Sequence, residues 1–105
     1  MPTLVISAPR QKAELEQKRS FERTVETGVG DEYAIPAGKV VQLYAGCKVV
    51  VLDKDQRKRA EGTLVELVPR SKANNGMQRY DVLIKDLRLV DYKSEDLGRT
   101  GVAVI

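Results

Sequence analysis

The chain has 105 residues, enough for one domain with a single core and too few for a second. With no histidine and one cysteine, it lacks the commonest zinc sites, a disulfide framework and His-dependent acid–base chemistry. Its net charge of +3 is unevenly placed: residues 1–38 hold five Lys/Arg against six Asp/Glu, while residues 54–79 hold seven against three, a distribution that points toward polyanions.

In chain order, Thr3–Ser7 (TLVIS) is a short apolar run that reads as a strand. Ser7-Ala8-Pro9 then supplies a cap and a first-turn proline, predicting a helix from Arg10 to about Thr27. Its apolar stripe is narrow, since Leu15, Phe21 and Val25 fall within about a 120° arc at 100° per residue. Gly28 is placed as the C-cap, and Gly28–Asp31 (GVGD) with Ile35–Gly38 predicts a connecting loop. These glycines make no dinucleotide site, because no strand runs directly into them and no helix clearly leaves.

From Lys39 the pattern changes to strands: Val40–Tyr44, Cys47–Leu52, Thr63–Val68, Gln78–Lys85, Leu87–Tyr92 and Gly101–Ile105. The first of these is short enough before Gly46 to be a helical turn instead. Over Arg79–Lys85 the alternation puts Tyr80, Val82 and Ile84 on a core face and Arg79, Asp81, Leu83 and Lys85 on the other. Continued, that parity would turn Asp86 inward, so a bulge or sharp bend is expected at Lys85-Asp86. One helix and five to six short strands predict an α+β domain, a small and strongly curved β-barrel occupying residues 1–105. The loops at 69–77 and 93–100 are polar and contain glycine, as surface segments do.

Few residues carry chemistry. Asp53-Lys54-Asp55 alternates acids like a calcium loop, but Arg57 takes the next ligand position and no glycine turns the chain. The acid pairs Asp31-Glu32 and Glu95-Asp96 read as solvated loop residues. Cys47 opens an apolar strand with no histidine to activate it, as expected of a buried, inert thiol. Tyr80 reads as packing, whereas Tyr33 in a polar loop and Tyr92 at a strand end are the better placed for stacking. No enzyme, cofactor or metal is therefore expected. No apolar run nears the roughly 18 residues of a membrane span and no signal-peptide pattern opens the chain, so the expected location is the cytoplasm, without a membrane partner.

The basic cluster is the exception. Lys54, Arg57, Lys58 and Arg59 crowd the turn of a hairpin, where they serve either as phosphate contacts or as solubilising charges that discourage edge pairing. Arg70, Lys72 and Arg79 lie around the next loop, about 20 Å away along a shared six-residue strand. The two groups cannot form one compact pocket, but both can touch a polymer whose charges repeat every few ångströms.

Gly46–Leu52 (GCKVVVL), the polar turn and Ala60–Val68 (AEGTLVELV) resemble the central hairpin of small nucleic-acid-binding barrels of the PUA-like type, including ASCH and EVE domains. In that superfamily one glycine opens a strand and a second lets the return strand bend. The order strand, helix, barrel strands and the closing GVAVI is also similar, over some 60 residues in all. SH3-like barrels of the Tudor or KOW kind share the G-x-x-V then G-x-hydrophobic pattern. Cys47 stands where an acidic residue commonly follows the glycine, and no Trp is present for an aromatic pocket. The resemblance accordingly implies backbone binding to RNA or DNA through Lys54, Arg57, Lys58 and Arg59, aided by Arg70, Lys72 and Arg79. The alternative is an SH3-like module that docks a protein partner.

Overall fold

A computed structural model describes residues 2–7, 20–54, 56–72, 76–95, 97 and 101–105. Among these residues six strands and two short helices follow in the order β1 (Thr3–Ser7), α1 (Phe21–Thr27), β2 (Val29–Ala34), α2 (Ala37–Val40), β3 (Lys48–Asp53), β4 (Lys58–Lys72), β5 (Gln78–Val90) and β6 (Val102–Val104). They form one sheet in the order β2-β5-β4-β3-β1-β6, with β1 and β3 parallel and every other neighbouring pair antiparallel.

The apolar runs TLVIS and KVVVLD become central strands because both of their faces are covered. Leu4, Ile6, Val49 and Val51 join a core to which all six strands contribute, through Tyr33, Ala60, Leu64, Val82, Ile84 and Val102. Only the inside of a curled sheet can gather residues from every strand. Phe21 of α1 and Ile35 are buried in the same cluster. On the outer face, Val5, Val50, Leu52 and Ala103 are covered by Leu97, with Tyr92 packed against them.

Curvature comes from the long hairpin. At about 3.3 Å per residue β4 would span roughly 46 Å if straight, yet the molecule extends 34 Å along its longest principal axis. The strand bends at register shifts between Glu61/Thr63, Leu64/Glu66 and Pro69/Lys72. At the first of them Asp86 takes φ 56, the expected break at Lys85-Asp86. Gly62 faces this bend, and a Cβ there would lie 2.7 Å from Ile84 Cγ2 and 2.8 Å from the Lys85 carbonyl oxygen. Backbone cannot move aside as a side-chain tip can, so Gly62→Ala is expected to cost about 1–3 kcal/mol, read as a lower denaturation midpoint.

The structure corrects several expectations. The sheet is an open half-barrel, not a closed barrel: β2 and β6 are its two edges. β2 is bulged between Gly30 and Tyr33, with Glu32 at φ 53. β6 has only 3 residues, and Lys39 Nζ donates to its Val102 carbonyl at 3.2 Å. Of the predicted helix, Phe21–Thr27 is helical, and a second short helix, α2, follows at Ala37–Val40. α1 starts at Ser20, whose extended backbone (φ −64, ψ 152) and side-chain hydrogen bond from the Arg23 N–H make it an N-cap. Ala8, Pro9 and residues 10–19, where the predicted helix was to begin, lie outside the described residues.

Gly28 is the C-cap as expected, with φ 72 and its N–H bonded to the Thr24 carbonyl. After this cap, residues 29–31 are strand rather than loop, because the Gly28 carbonyl accepts the Ile84 N–H at 2.8 Å and draws the chain onto β5. Val40–Tyr44 is not a strand: Pro36 caps α2, its carbonyl accepting from Lys39 and Val40, and a turn follows. The two segments expected at 78–85 and 87–92 are one bulged strand, β5.

Candidate functional site

The turn between β3 and β4 is built by Asp53, whose Oδ1 accepts the Gln56 N–H at 3.0 Å, and by Arg57 in the left-handed region at φ 55. Lys54, Arg57 and Lys58 project from it and are exposed. The Arg57 guanidinium lies 4.9 Å from the centre of the Tyr92 ring, which orders the hairpin tip against the segment after β5. Lys58 Nζ is 3.9 Å from a Glu22 carboxylate oxygen; both side chains are well exposed, so the pair is worth little.

Arg59 is placed differently. Successive strand residues face opposite sides, and Arg59 lies on the outer face of β4, only 6% exposed. Its Nε donates to Glu61 Oε2 at 2.9 Å, and its Nη1 to Glu95 Oε2 at 3.0 Å and to the Lys93 carbonyl at 2.9 Å. Lys48 Nζ reaches the other Glu61 oxygen at 3.0 Å. Burial pulls the Arg59 guanidinium down, but hydrogen bonds to Glu95 and Glu61 hold it above its ordinary value. Burial likewise pushes the Glu61 carboxyl up, and the bonds from Lys48 and Arg59 pull it below the usual carboxylate range. The strand thus divides the four-residue cluster into three solvated cations and one internal tie. The spacing Arg59-x-Glu61, two residues on one strand face, was the sequence signal for that tie.

The remaining cations are at the far end of β4. Arg70 and Lys72 are exposed, Arg70 Nη1 lying 3.6 Å from Asp81 Oδ2. Arg79 is half-buried, with an enclosed Nε that has no hydrogen-bond partner among the described residues. The sheet brings neither Arg70 nor Lys72 to the β3–β4 turn.

Two tyrosines changed roles. Tyr33 is buried and its hydroxyl donates to the Ser7 carbonyl at 2.9 Å, so it is a core residue rather than a stacking platform. One face of Tyr92 is taken by Arg57. Cys47 is buried, its sulfur accepting the Tyr44 N–H at 3.4 Å.

Beside the hairpin tip runs a feature the sequence did not announce, a groove of about 420 Å³ between α1 and the β4–β5 ladder. Its floor is apolar, from Phe21, Val25, Leu89 and Val90, and its rim carries Arg57 and Lys58 opposite Glu22 and Glu26. Leu89 is 66% exposed there. Among the described residues no helix is long and apolar enough to cross a membrane. The chain matches no protein-family model, no curated protein and no solved structure. Fold and site together define a small β-rich half-barrel domain with a basic hairpin tip.

Proposed function

We propose that this domain binds RNA or DNA without catalysis, gripping the phosphate backbone through Lys54, Arg57 and Lys58. The observation that carries the reading is the hairpin tip itself: three exposed cations on one turn, none in a close ion pair with another described residue, with Arg57 held in place by Tyr92. Ordering a cation before binding lowers the entropy lost on contact. Arg70 and Lys72, at the other end of β4, add contacts only for a polymer that runs the length of the domain. At one phosphate per 3.4 Å of each strand, the 34 Å dimension corresponds to a site of about ten nucleotides. Within the small-barrel folds, the order strand, helix, curled strands supports the PUA-like member over the SH3-like one. Arg59, enclosed by Glu61 and Glu95, is left out of the contact set.

The test is the triple replacement of Lys54, Arg57 and Lys58 by Ala. Exposed turn charges contribute little to stability, so the thermal melt should stay within a few degrees of the parent. Binding to a duplex should weaken, and the slope of log affinity against log salt should flatten by about 2–3 units, since each phosphate contact contributes about 0.9. A folded variant with an unchanged slope removes this reading. A second reading, docking of a protein partner, is favoured by the exposed Leu89 over an apolar floor with mixed charge on its rim. It becomes the leading one if the salt slope does not move.

A further inference from the structure

Across the β4–β5 ladder the register partner of Glu61 is Arg88. Opposite charges at such positions ordinarily pair. Here each Glu61 oxygen already has a cation, Oε1 with Lys48 and Oε2 with Arg59. The Arg88 side chain is exposed and makes no ion pair or hydrogen bond with any of the described residues.

Arg88 instead lines a groove of about 480 Å³ on the outer face, shared with Thr3, Lys48, Glu61 and Thr63. Thr3, Lys48 and Thr63 are Cα partners across β1, β3 and β4. Two threonines therefore flank Lys48 at the strand spacing of about 4.8 Å. Neither hydroxyl is bonded to another described residue. Gly46 edges the groove, and a side chain there would meet nothing within 4 Å, so that end stays open. The local charge is three cations, Lys48, Arg59 and Arg88, against Glu61 and Glu95, and Arg59 is wholly engaged by the two carboxylates.

We propose that this groove is a binding site for a small oxyanion, a phosphate or carboxylate group. Arg88 presents its planar fork of donors to two oxygens of the anion. Lys48, half-exposed and bonded to Glu61 Oε1 at 3.0 Å, adds a second charge beside the groove, and Thr3 and Thr63 supply neutral donors. The hairpin tip lies at the opposite end of β3, about 17 Å away over five residues. The site therefore stands independently of the nucleic-acid reading.

The experiment titrates inorganic phosphate into the full chain and follows the amide signals of Gly46, Gly62 and Thr63 by nuclear magnetic resonance. Saturable shifts with a dissociation constant of about 1–10 mM are expected. Arg88→Gln should weaken them about tenfold or more, with an unchanged melting temperature, while the triple variant at Lys54, Arg57 and Lys58 should titrate like the parent. A parallel arm uses a single-stranded oligonucleotide without terminal phosphates. If it shifts the same amides in an Arg88-dependent way, the anion is a backbone phosphate; if only inorganic phosphate does so, it is a free small anion. The proposal is overturned if chloride at equal ionic strength gives the same shifts, if they do not saturate, or if Arg88→Gln leaves them unchanged.

Discussion

Val82→Asp is expected to abolish folding, and Leu83→Asp, one residue along, to leave a folded domain. Val82 is 0% exposed in the inner core, in register with Gly30 of β2 and Leu67 of β4. The groups in its cluster are aliphatic and aromatic apart from the Cys47 thiol, so an aspartate there has no cation to pair with. Losing the valine's burial costs about 1.5–3 kcal/mol. Burying a carboxyl without a partner adds several more, whether it stays charged or is forced to take up a proton. Together these approach the whole stability of an ordinary domain, about 5–15 kcal/mol. Leu83 is only half-buried, on the alternate face between Val29 and Glu66. There the new carboxylate reaches water, and the cost is expected to be about 1 kcal/mol. Circular dichroism melts of the two variants make the comparison; similar midpoints would contradict the division of β5 into an inner and an outer face.

Arg59→Ala is the second large effect. The side chain ties β4 to the segment after β5 by its bonds to Glu95 and the Lys93 carbonyl, and it neutralises Glu61. Removing one member of an enclosed ion pair costs about 3–5 kcal/mol. Glu61 and Glu95 keep some access to water and Glu61 keeps Lys48, so a loss of about 2–3 kcal/mol is expected in urea unfolding, short of that full penalty. The pH dependence separates this tie from simple packing. Because the native Glu61 carboxyl lies below its unfolded value, its contribution is fully present above about pH 4.3 and disappears as pH falls through the native value. The parent should therefore lose stability more steeply in acid than Arg59→Ala, and the two curves should draw together as pH falls through the native Glu61 value. Parallel curves would mean that Arg59 acts through its carbon stem alone.

What local sequence determined is what depends on near neighbours. The runs TLVIS and KVVVLD are strands, Gly28 ends a helix, and Tyr80, Val82 and Ile84 share a face, because side-chain alternation and capping act over a few residues. The bend at Asp86 was legible for the same reason: parity cannot pass a charged residue into a core. Tertiary structure decided the rest. Gly28–Asp31 has loop composition, yet from Val29 on it is strand, since the free edge of β5 offers it hydrogen-bond partners that lie more than fifty residues away in the chain.

The same division holds for the candidate site. That Lys54, Arg57 and Lys58 stand in solvent follows from a turn between two apolar strands. That Arg59 does not follows only from the arrival of Glu95 over the outer face, a contact 36 residues distant. Arg88 stands without a carboxylate because Lys48 on β3 reaches Glu61 as well as Arg59 does. Such choices belong to the sheet order β5-β4-β3, where long-range pairing, not local propensity, sets which charges meet.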